Sequence, residues 1–302
     1  MINVASSVAA SLLLFAIADD AFAAASSNVI YNTRAEKSYL ANELAIAVSE
    51  TEEGDVLTLG PGTFTGNGAP IAPNHHIVIA GAGPDSTTID VTGTDGYGIH
   101  LYAPGFVANG PSQECSKLFG FTLQGPAPNK YYGIHTSPGC NGIVIDNVVV
   151  KGTTKTGIDL NGAEDCSLSN IVSIDSTGGF GLSLVSSQRV TIENITTGGN
   201  AWGGIAIYPA RQQYQTLDSG SGAPHDITFK GLISSDIGEG GRSACFTFNS
   251  GVRACVRGTG AERMHCFAKE PKRRGVRNCS DSTRLPLVLF SIITFFFWSP
   301  SA

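Results

Sequence analysis

Three polar side chains of different chemistry fall at a fixed spacing. His135, Asp159 and Ser183 are each 24 residues apart, and Ala206 follows after 23. Each sits at the third place of one recurring phrase: Gly133-Ile134-His135, Gly157-Ile158-Asp159-Leu160, Gly181-Leu182-Ser183-Leu184 and Gly204-Ile205-Ala206-Ile207. Gly98-Ile99-His100-Leu101 is an earlier copy. A histidine beside an aspartate is a competent general base with a partner that orients it or stabilises its charge. The plainer reading is a polar column on a solvated strand, with no chemistry attached.

For residues two dozen positions apart to meet, the chain must wind in coils of equal length. A second phrase supports such winding. Ile145-Asp146-Asn147, Leu168-Ser169-Asn170 and Ile192-Glu193-Asn194 recur between copies of the first, and Phe229-Lys230-Gly231 is a decayed fourth. A period in the twenties built from short alternating runs is a solenoid, whose coils bury their apolar faces by stacking. The Leu-x-x-Leu-x-Leu pattern and helical segment of a leucine-rich repeat are both missing. Alternation sends Ile134, Ile158, Leu182 and Ile205 inward and His135, Asp159, Ser183 and Ala206 outward, in one column with about 4.8 Å between neighbours. Asn147, Asn170 and Asn194 recur at a turn, where Asn tolerates left-handed backbone, and are expected to stack as an internal amide ladder.

These phrases, with Gly54-Asp55-Val56-Leu57-Thr58-Leu59-Gly60-Pro61-Gly62-Thr63-Phe64 and Ile77-Val78-Ile79-Ala80-Gly81-Ala82-Gly83, resemble the right-handed parallel β-helix proteins of the pectin-lyase-like superfamily over roughly residues 29–250. The resemblance implies an all-β, right-handed parallel β-helix solenoid with a short N-terminal capping helix. It says little about activity, because lyases, hydrolases, epimerases and non-enzymes share the architecture. The capping helix is expected over 35–49, where Leu40, Leu44, Ala47 and Val48 form an apolar helical stripe that covers the first coil.

Three regions follow. Residues 1–23 read as a secretory signal peptide, with an apolar core from Val8 to Ile17 and Ala21-Phe22-Ala23 as the cleavage site. Residues 24–250 are the β-helix domain. Residues 251–302 form a basic and then hydrophobic tail outside the solenoid. Residues 1–250 hold 10 Lys and Arg against 22 Asp and Glu, whereas 251–302 hold 9 against 3. Leu285 to Trp298 is almost wholly apolar but too short for a bilayer span, which needs about 20 residues. It leaves three readings open: a membrane or cell-surface anchor signal, disorder, or a stretch foreign to the original coding frame. The expected location is secreted or extracellular, with cell-surface anchoring as one option. Seven cysteines in a secreted chain leave one unpaired, and Cys115, Cys140 and Cys166 are placed for one disulfide among them.

In the resembling family the strand carrying this phrase lines the substrate groove, which here gives His100, His135, Asp159, Ser183 and Ala206. Hydrolysis of a glycoside takes two carboxyl groups, about 5–5.5 Å apart or wider. This column offers one, although Asp146 or Asp175 can reach in from turns. A lyase or C5-epimerase instead removes the proton beside a uronate carboxylate, which takes a base and a cation. The catalytic candidates are His135, Asp159, Tyr208 and Arg211. The substrate-binding candidates are His100, Lys130, Tyr131, Tyr132, Ser183 and Tyr214, the tyrosines as stacking faces for sugar rings. No metal ligand set is assigned. A Ca²⁺ ion is the cofactor an anionic substrate would admit, since residues 1–250 are themselves acidic, and Glu164-Asp165 is the nearest acidic pair. The expected partner is a uronate-rich polysaccharide, not nucleic acid, and the expected state is a monomer. The alternative function is a non-catalytic glycan-binding or adhesion module.

Overall fold

The computed structural model describes residues 27–102, 113–125, 131–208 and 224–235, with the backbone of short strands at 244–248, 253–256, 265–268 and 292–295. The chain winds as a right-handed parallel β-helix of about six coils. Its two main sheets share the coils between them. One sheet holds Gly96–Leu101, Tyr131–Thr136, Ile158–Asn161, Phe180–Val185, Gly203–Tyr208 and Ala244–Phe248, all parallel. The other runs through Val56–Leu59, Val78–Gly81, Lys117–Gln124, Val144–Lys151, Ser167–Ile174, Gln188–Gly198 and His225–Ser235, also parallel. From Gly96–Leu101 onward the chain alternates between the sheets, so each of these coils contributes a strand to both.

Register follows the period of the sequence. Ile134 is the strand partner of Ile99 and Ile158, Ile158 of Leu182, and Leu182 of Ile205. These are fully buried, as are Ile145, Leu168, Ile192 and Phe229 of the second phrase. A slip of one residue would turn every such side chain to the opposite face, so the buried faces lock the pairing.

The long strands of the second sheet bend at one residue in the middle. Gly120, Asn147, Asn170, Asn194 and Gly231 all have φ between 53° and 66°. A single left-handed residue turns the strand through a corner without a loop, which only Gly and Asn adopt at small cost. Part of the expected asparagine ladder forms there, on the outside, with Asp146 rather than Asn147 as its first rung. Asn194 Nδ2 donates to Asn170 Oδ1 at 3.2 Å, and Asn170 Nδ2 to Asp146 Oδ1 at 2.9 Å. All three asparagines are exposed. Left-handed backbone at a convex corner swings the side chain away from the core, so the stack faces solvent.

The first coil is closed differently from expectation. Residues 37–40 are a strand, not helix: Val29–Asn32 and Lys37–Leu40 make an antiparallel hairpin that pairs with Val56–Leu59. Leu40 is 65 % exposed on it. The helix is short, Leu44–Ser49, and buries Leu44, Ala47 and Val48. The stripe is helical only over that last turn and a half, because Glu36, with φ 50°, lies in the hairpin turn and sends Lys37–Leu40 back as a strand. Asn32 Nδ2 donates to Asp55 Oδ2 at 2.7 Å and ties the hairpin to the first coil.

Cys115 and Cys140 form the disulfide, linking neighbouring coils with Cα atoms 5.4 Å apart. Cys166 is free and buried. Asn141 pairs with Glu164, which places Ala163, not Cys166, beside Cys140. Residues 1–26, with the expected signal peptide, lie outside the described residues, as does most of the tail.

Candidate functional site

The repeated phrase builds its column as the spacing requires. His100 is the strand partner of His135, His135 of Asp159, Asp159 of Ser183, and Ser183 of Ala206. Parallel pairing holds each step near 4.8 Å, within reach of a side-chain hydrogen bond. His135 Nδ1 donates to Asp159 Oδ2 at 2.9 Å. Ser183 Oγ donates to Asp159 Oδ1. The carboxylate thus stands between a hydroxyl and an imidazole, and both of its oxygens accept. This fixes the Asp159 rotamer, protonates His135 at Nδ1, and turns Nε2 away from the carboxylate as the basic nitrogen.

The column is recessed, not solvated. His135 is 9 % exposed, His100 6 % and Asp159 5 %. Aromatic rings cover the two histidines. Tyr97 stacks on His135 with centroids 4.6 Å apart, and Tyr132 lies 5.1 Å from His135. Tyr97 and Tyr132 stack on each other at 5.9 Å, while Tyr102 packs on His100 at 3.9 Å. Burial, with His135 beside it, pushes the His100 imidazole down to about 4. His100 is therefore neutral at physiological pH, and its Nε2 lies 3.0 Å from Ser137 Oγ. Burial, and then the electrostatic influence of Tyr102 and Asp159, raise the Tyr97 phenol above its ordinary value and keep it a donor.

A cation completes the group. Lys155 Nζ stands 4.8 Å from the centroid of the Tyr132 ring, a cation–π distance. The Lys155 backbone is pinned on both sides: its N–H donates to Tyr131 O at 3.0 Å, and its carbonyl accepts from Thr153 Oγ1 at 2.7 Å and from Ser176 Oγ.

The structure sorts the expected site residues. His100, His135, Asp159, Ser183 and Tyr132 come together. Tyr131 does not join them: it is fully buried, and its hydroxyl donates to Gly125 O at 2.5 Å. Tyr131 and Tyr132 are adjacent on a strand, so one faces in when the other faces out. Tyr208 ends Gly203–Tyr208, three strands from His135, or about 14 Å at the coil spacing. That is too far to act on the same atom. Lys130, Arg211 and Tyr214 lie outside the described residues.

Asp146 faces out from the other sheet, where it accepts from Ser169 and Asn170, and Asp175 forms a left-handed turn. Neither hydrogen-bonds into the column. Glu164 and Asp165 both pair with Arg189, at 2.7 Å to each.

Two contributors escaped the sequence reading. Tyr97 had a signal: Tyr97-Gly98-Ile99-His100 and Tyr132-Gly133-Ile134-His135 are the same tetrapeptide. Lys155 had none, since its position depends on how the turn before Ile158–Asn161 stacks.

No protein-family model matches the chain. No curated protein matches it in sequence. Two solved structures are similar over part of their lengths. The A-module of the mannuronan C-5 epimerase AlgE4 from Azotobacter vinelandii aligns with a TM-score of 0.38 and 15 % identity, covering 62 % of this chain and 57 % of that one. The A-module of the mannuronan C-5 epimerase AlgE6 from the same organism aligns with a TM-score of 0.30 and 10 % identity, covering 70 % of this chain and 85 % of that one. The chain thus spans a little over half of the AlgE4 module.

Proposed function

We propose that this protein acts on a uronate-rich polysaccharide by abstracting the proton beside the sugar carboxylate, as a lyase or a C5-epimerase. The observation that carries the reading is the Ser183–Asp159–His135 chain, which prepares one nitrogen as a base under a roof of tyrosines. Acidic C–H groups next to a carboxylate lose a proton only when the developing charge is stabilised. His135 Nε2 takes the proton. Asp159 holds the imidazole in orientation and stabilises the imidazolium that forms. Lys155 faces the substrate carboxylate, and Tyr97 supplies a hydroxyl donor.

In elimination, the C5–H bond breaks, its electron pair forms the C4–C5 double bond, and the C4–O bond breaks with a proton going to the leaving oxygen. In epimerisation, His135 keeps the abstracted proton and a different proton is delivered to C5 from a donor on the opposite face. A single carboxylate in the column disfavours both routes of glycoside hydrolysis. The same reading places the protein outside the cell. The apolar segment Val8–Ile17 ahead of Ala21-Phe22-Ala23 and the Cys115–Cys140 bridge both suit an oxidising compartment.

The test is a panel of uronate polymers followed by ultraviolet absorbance, for unsaturated product, and by proton NMR, for C5 configuration. The expected result is one of the two signals with the native protein and at least a hundredfold loss in His135→Ala. Binding without either signal would leave a glycan-binding module and end the catalytic reading.

A further inference from the structure

The outward face of the shorter sheet carries a second aromatic group that the proposed chemistry does not use. Trp202 is 59 % exposed. Its ring meets Phe180 edge to face, with centroids 5.6 Å apart at 80°. The turn that presents it is held tightly. Ala201 N–H donates to Ser176 O at 2.7 Å, and Trp202 N–H to Gly179 O at 3.0 Å. Gly179 permits this stacking, because a Cβ there would overlap the backbone of Lys155 and Thr156. A large apolar ring fixed in water on a rigid turn is a poor packing solution and a good binding platform.

Its position relates to the site through register. Phe180 precedes Ser183 by three residues, as Tyr132 precedes His135, and Phe180 pairs with Gly203. Tyr132 and Phe180 therefore lie along the same edge of the face, two strands or about 10 Å apart, with Trp202 one strand further. The two ends are built alike. Lys155 leans over Tyr132, and Trp202, at the aligned position two coils on, leans against Phe180.

We propose that Trp202 and Phe180 form a distal sugar-stacking subsite, so that a glycan lies along the solenoid axis with His135 beside its Tyr97–Tyr132 end. This rests on the glycan reading above and adds to it a length requirement: roughly one ring per coil, at about 5 Å, makes a chain of several rings necessary to touch both platforms.

The experiment is calorimetric binding of uronate di-, tetra- and hexasaccharides to the full chain, the Trp202→Ala variant and the Trp202→Phe variant. Binding is read separately from turnover. In the native protein affinity should rise sharply between the di- and hexasaccharide. Trp202→Ala should lose about tenfold on the hexasaccharide and almost nothing on the disaccharide, with Trp202→Phe between them. A length step that survives without turnover keeps the subsite and removes the catalytic proposal. Turnover with no length step, or an equal loss at every length, overturns the subsite. Concentration-dependent self-association abolished by Trp202→Ala would overturn it too, by making the ring a contact between copies. Failure to bind any oligosaccharide overturns both.

Discussion

His100 offers a prediction whose sign and size follow from its surroundings. Its ring is buried against Tyr97, Tyr102 and His135, and its nearest polar partner is the Ser137 hydroxyl. In the folded chain the imidazole titrates near 4, and in the unfolded chain near the ordinary 6.5. The unfolded state therefore binds the proton more readily. Above about pH 6.5 both states are neutral and the fold bears no penalty. As pH falls toward 4 the unfolded state is progressively favoured, and below 4 the effect levels off. The difference corresponds to at most about 3 kcal/mol, at 1.36 kcal/mol per unit. Partial solvent access reduces this to about 2 kcal/mol. For a domain of this size that is about 4–8 °C in Tm.

The perturbation is His100→Gln, which keeps a hydrogen-bonding group near Ser137 and removes the titration. Thermal unfolding by circular dichroism between pH 7 and pH 4 is the assay. The native protein should lose about 2 kcal/mol more than the variant over that interval, so their stabilities converge in acid. Parallel pH profiles would show that His100 is solvated or already charged in the fold, and the burial argument would fail with them.

Four further outcomes test the scaffold. A Cβ at Gly157 would overlap the Ser173 hydroxyl and come within 2.9 Å of Gly181 O. Gly157→Ala should thus cost about 1–3 kcal/mol, and Ser173→Ala should recover part of it. Strictly additive denaturation midpoints would exclude that overlap as the cause. At the left-handed corner, Asn170→Ala should destabilise by about 1–2 kcal/mol, by strain and lost ladder bonds, and Asn170→Gly by less. Equal losses would mean that backbone conformation is not what selects Asn there. Reducing the Cys115–Cys140 bridge should cost about 3 kcal/mol. Cys166, fully buried with its thiol pushed up to about 12, should resist alkylation until the chain unfolds, as mass spectrometry of the Cys166 peptide would show.

What could be read from the chain and what could not divide along one physical line. Stacking repeats a local environment, so any feature that depends on stacking is written periodically. The inward isoleucines, the column from His100 to Ala206 and the corner asparagines all belong to this class. Features that depend on how the chain leaves the repeat carry no such trace. Leu40 looked helical because a strand edge and a helix stripe can share one apolar residue. The asparagine ladder holds between Asn170 and Asn194 but takes Asp146 as its next rung and faces outward, since periodicity shows that residues stack and not which way a left-handed corner points them. Lys155 acquires its place only from the turn that packs against Tyr132.

The order of the column bears on what it can do. In a nucleophilic triad the histidine lies between serine and carboxylate, so that it takes the hydroxyl proton. Here the carboxylate lies in the middle, and the Ser183 hydroxyl donates to it rather than to the ring. Ser183 therefore gains no base and is spent on orienting Asp159. The arrangement makes one strong acceptor at His135 Nε2 and no activated nucleophile. This order agrees with the proton transfer proposed above and leaves Ser183 without the base that acyl or glycosyl transfer to it would need. Ser183→Ala separates the two: as a positioning residue it should lower kcat by about tenfold, leave KM unchanged and shift the pH profile of kcat. Loss of all turnover with no such shift, or a covalent adduct on Ser183, would reverse that assignment.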